Sequence, residues 1–161
     1  MTVTAVPQIY DGVTVTIDVQ GTDAVQAVID GFKLQGLSLD TTSSPPVSKV
    51  SYREYALSAG TITIDLTAIL DQVGVAQDCT GLKVQKVHAI NPEANSQIAI
   101  AAGASNGYSL GGTITIPGSA EGDCHVVFYL PEALADISAS AKSLTITGTG
   151  SQTFSLGFDI G

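Results

Sequence analysis

Cys124 and His125 are neighbours, and a thiol beside an imidazole is the raw material of a nucleophilic pair. On a strand, adjacent side chains point to opposite faces, so these two cannot form a dyad with each other. His88 or Cys79 would have to reach them from another strand, and no motif in the sequence brings them there. Structural or surface roles therefore fit both histidines better than catalysis. A small hydrolase using Cys124 with His88 is the enzyme reading that remains, and it ranks last. The expectation is a chain that is not an enzyme, with no catalytic residues.

Metal and phosphate chemistry fare no better. Zinc sites are marked by close pairs such as Cys-x-x-Cys, and Cys79 and Cys124 stand far apart. Calcium loops need several oxygen ligands within about a dozen residues, whereas the Asp residues here are dispersed. No metal or cofactor site is expected. Gly103-Ala104-Ser105-Asn106-Gly107 is small and flexible, but no Lys-Ser/Thr pair follows it, so it reads as a hairpin or surface loop. There is no Gly-x-Ser-x-Gly elbow.

Two surface chemistries deserve weighing. Thr-x-Thr pairs can present a flat hydroxyl array of the kind an ice-binding face needs, but that surface requires one regular period. The spacing between these pairs is irregular, and outward Thr on half-exposed strands explains them without a ligand. Sugar recognition leans on exposed aromatic platforms. Trp is absent, Tyr52 and Tyr55 lie close together, and Tyr10, Tyr108 and Tyr129 stand alone. A glycan ligand stays open as the weaker reading.

The elements that must position these residues are mostly strands. Apolar residues alternate with Thr, Ser or Asp in Val13–Val19, Thr61–Leu66, Thr113–Ile116, Leu144–Thr147 and Thr153–Ile160. Lys49–Leu57, Leu82–Ile90, Gln97–Ala101 and Cys124–Leu130 are further candidates, giving about nine short strands punctuated by Gly, Asn and Pro. That spacing predicts a sandwich. Helix is scarce: Thr22 caps a short stretch over Asp23–Ile29 ended by Gly31, and Leu66–Val73 and Pro131–Asp136 hold a turn or two each. The run Asp40-Thr41-Thr42-Ser43-Ser44-Pro45-Pro46 reads as a linker. It divides a 1–46 arm or extra hairpin, too short to own a core, from a 47–161 β-sandwich domain. The arm is expected to pack on the sandwich or on a neighbouring subunit.

Bulk properties agree. The 161 residues suit one domain, 44% are hydrophobic, and only 13% are charged against roughly a quarter in ordinary soluble domains. So sparse a charge suits a surface partly covered by other subunits. The net charge is −9 and the six basic residues, Lys33, Lys49, Arg53, Lys83, Lys86 and Lys142, are scattered. Neither nucleic acid nor anionic lipid is an expected partner. No signal peptide and no membrane-spanning apolar run are visible, which predicts a protein made and kept in a cytoplasm. There the default for Cys79 and Cys124 is two free thiols. Each follows an Asp and opens or precedes a strand-like run, so matching ends of neighbouring strands, where a bridge fits, are the alternative.

Tyr55-x-Leu57-x-Ala59-Gly60-Thr61-Ile62-Thr63-Ile64-Asp65-Leu66, then Leu82–Val87 leading to Asn91, form the first half of a recognisable series. The Gly103–Asn106 loop, the strand at Thr113–Ile116 and Ser143–Gly150 before a closing strand complete it. With these, the stretch from Tyr52 to Gly161 resembles small structural proteins of tailed bacteriophages, of the head-decoration, head-fibre or minor-virion type. The resemblance implies an all-β, jelly-roll-like antiparallel sandwich with at most short helices, commonly a homotrimer. It implies a virion protein assembled in the host cytoplasm, decorating or stabilising a capsid through oligomerisation and docking on another virion protein. It carries no site residues. The runner-up is a carbohydrate-binding or receptor-binding adhesin-type module. Residues 1–46 are expected to make the inter-subunit or capsid-docking contacts.

Overall fold

A computed structural model describes residues 46–130 and 134–161. The 1–46 arm before Pro46, with its Val13–Val19 alternation and its short 23–29 helix, lies outside the described residues, as does the start of the Pro131–Asp136 turn.

Ten strands follow in order: β1 (Lys49–Ala56), β2 (Thr61–Asp65), β3 (Ile69–Leu70), β4 (Ala76–Gln77), β5 (Val84–Asn91), β6 (Ile98–Ala102), β7 (Ile114–Ile116), β8 (Cys124–Tyr129), β9 (Ser143–Thr147) and β10 (Thr153–Ile160). Every strand expected between residues 47 and 161 is present, with ends moved by a residue or two. The alternation works as anticipated. On β10, Phe154, Leu156, Phe158 and Ile160 are wholly buried, and on β2, β6, β7 and β9 the isoleucines and Leu144 turn inward. Each such side chain contributes about 1.5–3 kcal/mol by leaving water.

All ladders between strands are antiparallel. One four-stranded sheet runs β1-β10-β5-β8, and the other runs β2-β9-β6-β7. Most connections cross from one sheet to the other, and the first and last strands pair in the first sheet. This is the eight-strand double Greek key of a jelly roll. The fold class expected from the sequence is the one observed.

The exception is Leu66–Val73. Only Leu66–Ala68 turns, as a single 3₁₀ turn whose N-cap Asp65 accepts from Thr67 N at 2.9 Å. The chain then extends into β3, reverses, and pairs with β4 as a third, two-stranded sheet. The reversal is set by Asp71. Its Oδ1 accepts from Val73 N at 3.0 Å and Val75 N at 2.8 Å, and Gly74 takes the positive φ of +88° that the turn requires. This hairpin lies on the inner side of β1, where Ser51 Oγ donates to Leu70 O at 2.6 Å and Arg53 Nη1 to Asp71 O at 2.9 Å. It covers the polar inner side of an edge strand that would otherwise be open.

A bulge interrupts the β5–β10 ladder, where Asp159 faces Lys86 but Ile160 faces Val84. Beside it, Val84 N donates to the phenol of the buried Tyr108 at 3.1 Å.

Candidate functional site

The two cysteines are free, and the fold keeps them apart. Cys124 faces Asn91 at the far end of β5, whereas Cys79 lies in the loop before the start of that strand. The seven steps from Val84 to Asn91 span roughly 23 Å, several times the reach of a disulfide. The matching-ends alternative is therefore corrected: the ends are opposite. Burial pushes the Cys79 thiol up to about 11, with Lys49 pulling it down and Asp78 adding to the rise.

The same two-sidedness decides the thiol–imidazole question. Cys124, Val126 and Phe128 pack against the core, so His125 and Val127 project outward. Val87 and Ala89 are buried inward, so His88 projects outward with His125. Cys124 and His88 thus occupy opposite faces of one sheet and form no nucleophile–base pair. The two imidazoles do meet, stacked with centroids 6.2 Å apart, and Tyr52 stacks on His88 at 5.8 Å. Gly157 makes this contact available. It sits between Tyr52 and His88 in register, and a Cβ there would come within 2.8 Å of Tyr52 Cδ2. Burial, then His125 and Lys86, lower the His88 pKa below its ordinary value, against a small opposing effect of Asp159.

Tyr52 and Tyr55, close in sequence, part company. Tyr52 is exposed on the outer face, while Tyr55 turns inward and stacks on Phe154 at 6.0 Å. Tyr108 is core and Tyr129 shares the outer face with Tyr52. Among the described residues, Tyr52 and Tyr129 are the tyrosines on this outer face, with His88 stacked on Tyr52 and His125 on His88; Tyr10 lies outside the described residues.

The outer face of the other sheet is different in kind. Thr61 pairs with Thr147, which pairs with Ala99, which pairs with Thr115; the next row runs Thr63, Thr145, Ala101. The irregular sequence spacing of the Thr-x-Thr pairs hides this, because loops of unequal length separate strands that lie in register. The array is regular across the sheet, correcting the expectation from spacing. It is hydroxylated and uncharged until its rim, where Lys142 Nζ pairs with Asp65 at 2.6 Å.

A third surface is the β3–β4 tip. Val73 is 83% exposed and Val75 60%. The Asp71 hydrogen bonds hold both in a fixed turn, which lowers the entropy lost when they are covered.

Cations are mostly engaged. Lys86 pairs with Asp159, Lys83 Nζ lies 3.7 Å from Asp136, Lys142 holds Asp65, and Arg53 binds the hairpin backbone. Lys83 and Lys86, the one close basic pair in the sequence, do not form a basic patch. Among the described residues, no group of three or more His, Cys, Asp or Glu side chains converges on a common point, and no helix is long and apolar enough to cross a membrane. The Gly103–Gly107 loop is clamped to β9, since Lys142 N and Ser143 N both donate to Asn106 O, at 2.8 and 2.9 Å.

No family model matches this chain, and no curated protein does. Among solved structures it is similar to the cryo-EM structure of a virus-like particle of the giant freshwater prawn Macrobrachium rosenbergii extra small virus. Identity is 15%, covering 71% of this chain and 80% of that one, with a TM-score of 0.35. The jelly-roll assignment rests on this chain's own strand order.

Proposed function

We propose that this chain is a structural subunit of a virus particle that works by packing its outer surfaces against copies of itself and against other virion protein. In the finer form of this reading it is a homotrimer that decorates or stabilises the capsid of a tailed bacteriophage, assembled in the host cytoplasm. The observation that carries the proposal is the registered Thr/Ala face on the β2-β9-β6-β7 sheet of a jelly roll. A fold by itself assigns no function, but this surface has the physical character of an interface. Its short side chains lose little entropy on contact. With Asp65 at its rim, its interior carries no charge to desolvate. The exposed, pre-set Val73 and Val75 add a second apolar contact. Engagement of Lys83, Lys86, Lys142 and Arg53 within the fold argues against nucleic acid as the partner.

Light scattering over a wide concentration range, with mass spectrometry of purified particles, tests it. Discrete oligomers are expected, weakened at least tenfold by Ala101→Glu or by Val73→Ser with Val75→Ser. A monomer at every concentration, absent from particles, would refute the proposal.

The second reading, a glycan-binding module, is favoured by one feature: the exposed Tyr52 stacked on His88 beside His125. Glycan-array binding abolished by Tyr52→Ala would support it, and an array without hits would remove it.

A further inference from the structure

The core runs out at β8. On β10 the inward side chains are wholly buried, but on β8 the inward Val126 and Phe128, and Leu130 after them, stay partly exposed. β8 is the last strand in the order β1-β10-β5-β8, so one side of it has no neighbour among the described strands. Leu130 N donates to Gln85 O at 2.7 Å, which fixes the parity of the ladder: Cys124, Val126, Phe128 and Leu130 bond to β5. The N–H and C=O groups of His125, Val127 and Tyr129 therefore point along the sheet, away from β5. Among the described residues, no hydrogen bond reaches any of these groups.

The other sheet edges are guarded. Beside β1 lies the β3–β4 hairpin, Gln77 Nε2 donates to Val50 O at 2.9 Å, and Arg53 and Glu54 bring charge. β2 spends the N–H and C=O of Thr61 on Ser58 and ends in Asp65. β7 covers only Ile114–Ile116 and runs into Pro117. Charge, proline, shortness and cover are the means by which edges avoid pairing. β8 has none of them: Cys124-His125-Val126-Val127-Phe128-Tyr129 contains no Lys, Arg, Asp or Glu and is built of residues that favour strands. In a chain of net charge −9, copies repel one another unless they meet where charge is absent.

That edge is also complementary to itself. Set antiparallel to a second copy about a two-fold axis at Val127, it opposes Val127 to Val127 and, twice, His125 to Tyr129. Each is a pair that exchanges both N–H···O bonds, so every open group is used. Moving the axis to Val126 or Phe128 sets Tyr129 or His125 opposite a residue outside the strand. Inward, Val126 meets Phe128 and Cys124 meets Leu130, covering the apolar side chains that the sandwich leaves partly exposed. We propose that two copies of this chain join edge to edge through β8, making β1-β10-β5-β8 and its symmetry mate one continuous sheet. The seam is about 20 Å long, at the small end of stable interfaces, so the expected affinity is micromolar. The proposal rests on the self-association argued above and gives it a site. Being two-fold, the contact closes on a pair and leaves larger assembly to the Thr/Ala face and the hairpin tip.

Amide exchange of the unaltered full-length protein, followed residue by residue by NMR at rising concentration, tests the seam. The amides of His125, Val127 and Tyr129 should slow about tenfold or more as the dimer forms, whereas those of Val126 and Phe128, already bonded to β5, should not change. Val127→Cys under mild oxidation should give a disulfide-linked dimer joined at position 127, since directly opposed residues of such a pair lie about 5.5 Å apart at Cα. Val127→Lys, which sets like charges opposite each other on the outward side, should weaken association about tenfold or more. The first two readings stand should this variant fail to fold. Oligomers in which the three amides exchange at the monomer rate would overturn the proposal and leave association to other surfaces. So would equal protection at every dilution, which would place the edge under its own chain, or a disulfide from position 127 to Cys79 or Cys124 in place of its own mate. A monomer at every concentration would remove both the seam and the self-association it rests on.

Discussion

Removing one oxygen atom from Tyr108 probes how the sandwich repairs its own irregularity. The bulge at the start of β5 leaves Val84 N–H beside a gap in the ladder, and the Tyr108 phenol accepts it at 3.1 Å from a site 1% exposed. Tyr108→Phe keeps the ring and its packing but strands a buried donor. An orphaned buried group costs about 1–3 kcal/mol, more than the net value of the bond itself. At about 2 kcal/mol, a chain of this size should lose about 4–8 °C in Tm. Urea denaturation should show a lower midpoint at unchanged m, and amide exchange at Val84 should accelerate selectively. The same substitution should blunt alkaline unfolding. Burial raises the Tyr108 pKa above its ordinary value, with the Val84 N–H opposing and Asp136 adding, so its stabilising effect is full below about pH 10 and is lost as pH rises through the folded pKa. A Tyr108→Phe protein within about 0.5 kcal/mol of the parent, with Val84 exchange unaltered, would refute the argument.

Asn91→Ala should destabilise by about 2–4 kcal/mol in urea titration, because the wholly buried amide donates to Ser96 O and Pro117 O and accepts from Asn95 Nδ2. Ser96 O keeps Gln152 Nε2 as a second donor and Asn95 Nδ2 keeps Thr153 O as a second acceptor, and a loss under about 1 kcal/mol would count against the network. Cys79, buried and with its thiol pushed up to about 11, should resist iodoacetamide at neutral pH until the protein unfolds; stoichiometric labelling of the native state would contradict its placement. His88, its folded pKa depressed chiefly by burial, contributes stability that is complete above about pH 6.5 and falls as pH drops through the folded pKa. His88→Gln should flatten that part of the pH–stability curve, and an unchanged slope would show the proton is taken up elsewhere.

Strand positions were readable because most inward residues are large and apolar and many outward ones are Thr, Ser or Asp. Thr61–Asp65 and Thr153–Leu156 illustrate it, whereas the outward Gly157 and Asp159 of the same β10 strand are buried against the pattern. Sheet partners were not readable, since period-two alternation says which face a residue takes and nothing about which strand lies beside it. For that reason the Thr/Ala array was hidden although every Thr in it was correctly set outward, and Cys124 was rightly separated from His125 while its relation to His88 stayed open. Leu66–Val73 misled for a different reason. Its apolar spacing suits a helix turn, but the Val73 and Val75 N–H groups donating to Asp71 Oδ1 and the permissive Gly74 favour reversal, and the hairpin then bonds to β1 through Ser51. The bulge blurred β5, where Val84 to Val87 are all buried in succession.

β10 is the last strand of the sandwich yet occupies an interior place, between β1 and β5. Its ladder joins Lys49 to Ile160, near opposite ends of the described chain. During synthesis, both β1 and β5 must wait with naked backbone edges until these eight residues leave the ribosome. Pairing so remote in sequence closes slowly. Nascent chains halted short of Thr153 would present two sticky edges at once, so premature termination should yield aggregates rather than a smaller soluble fold, and β10 acts as the wedge that locks the sheet.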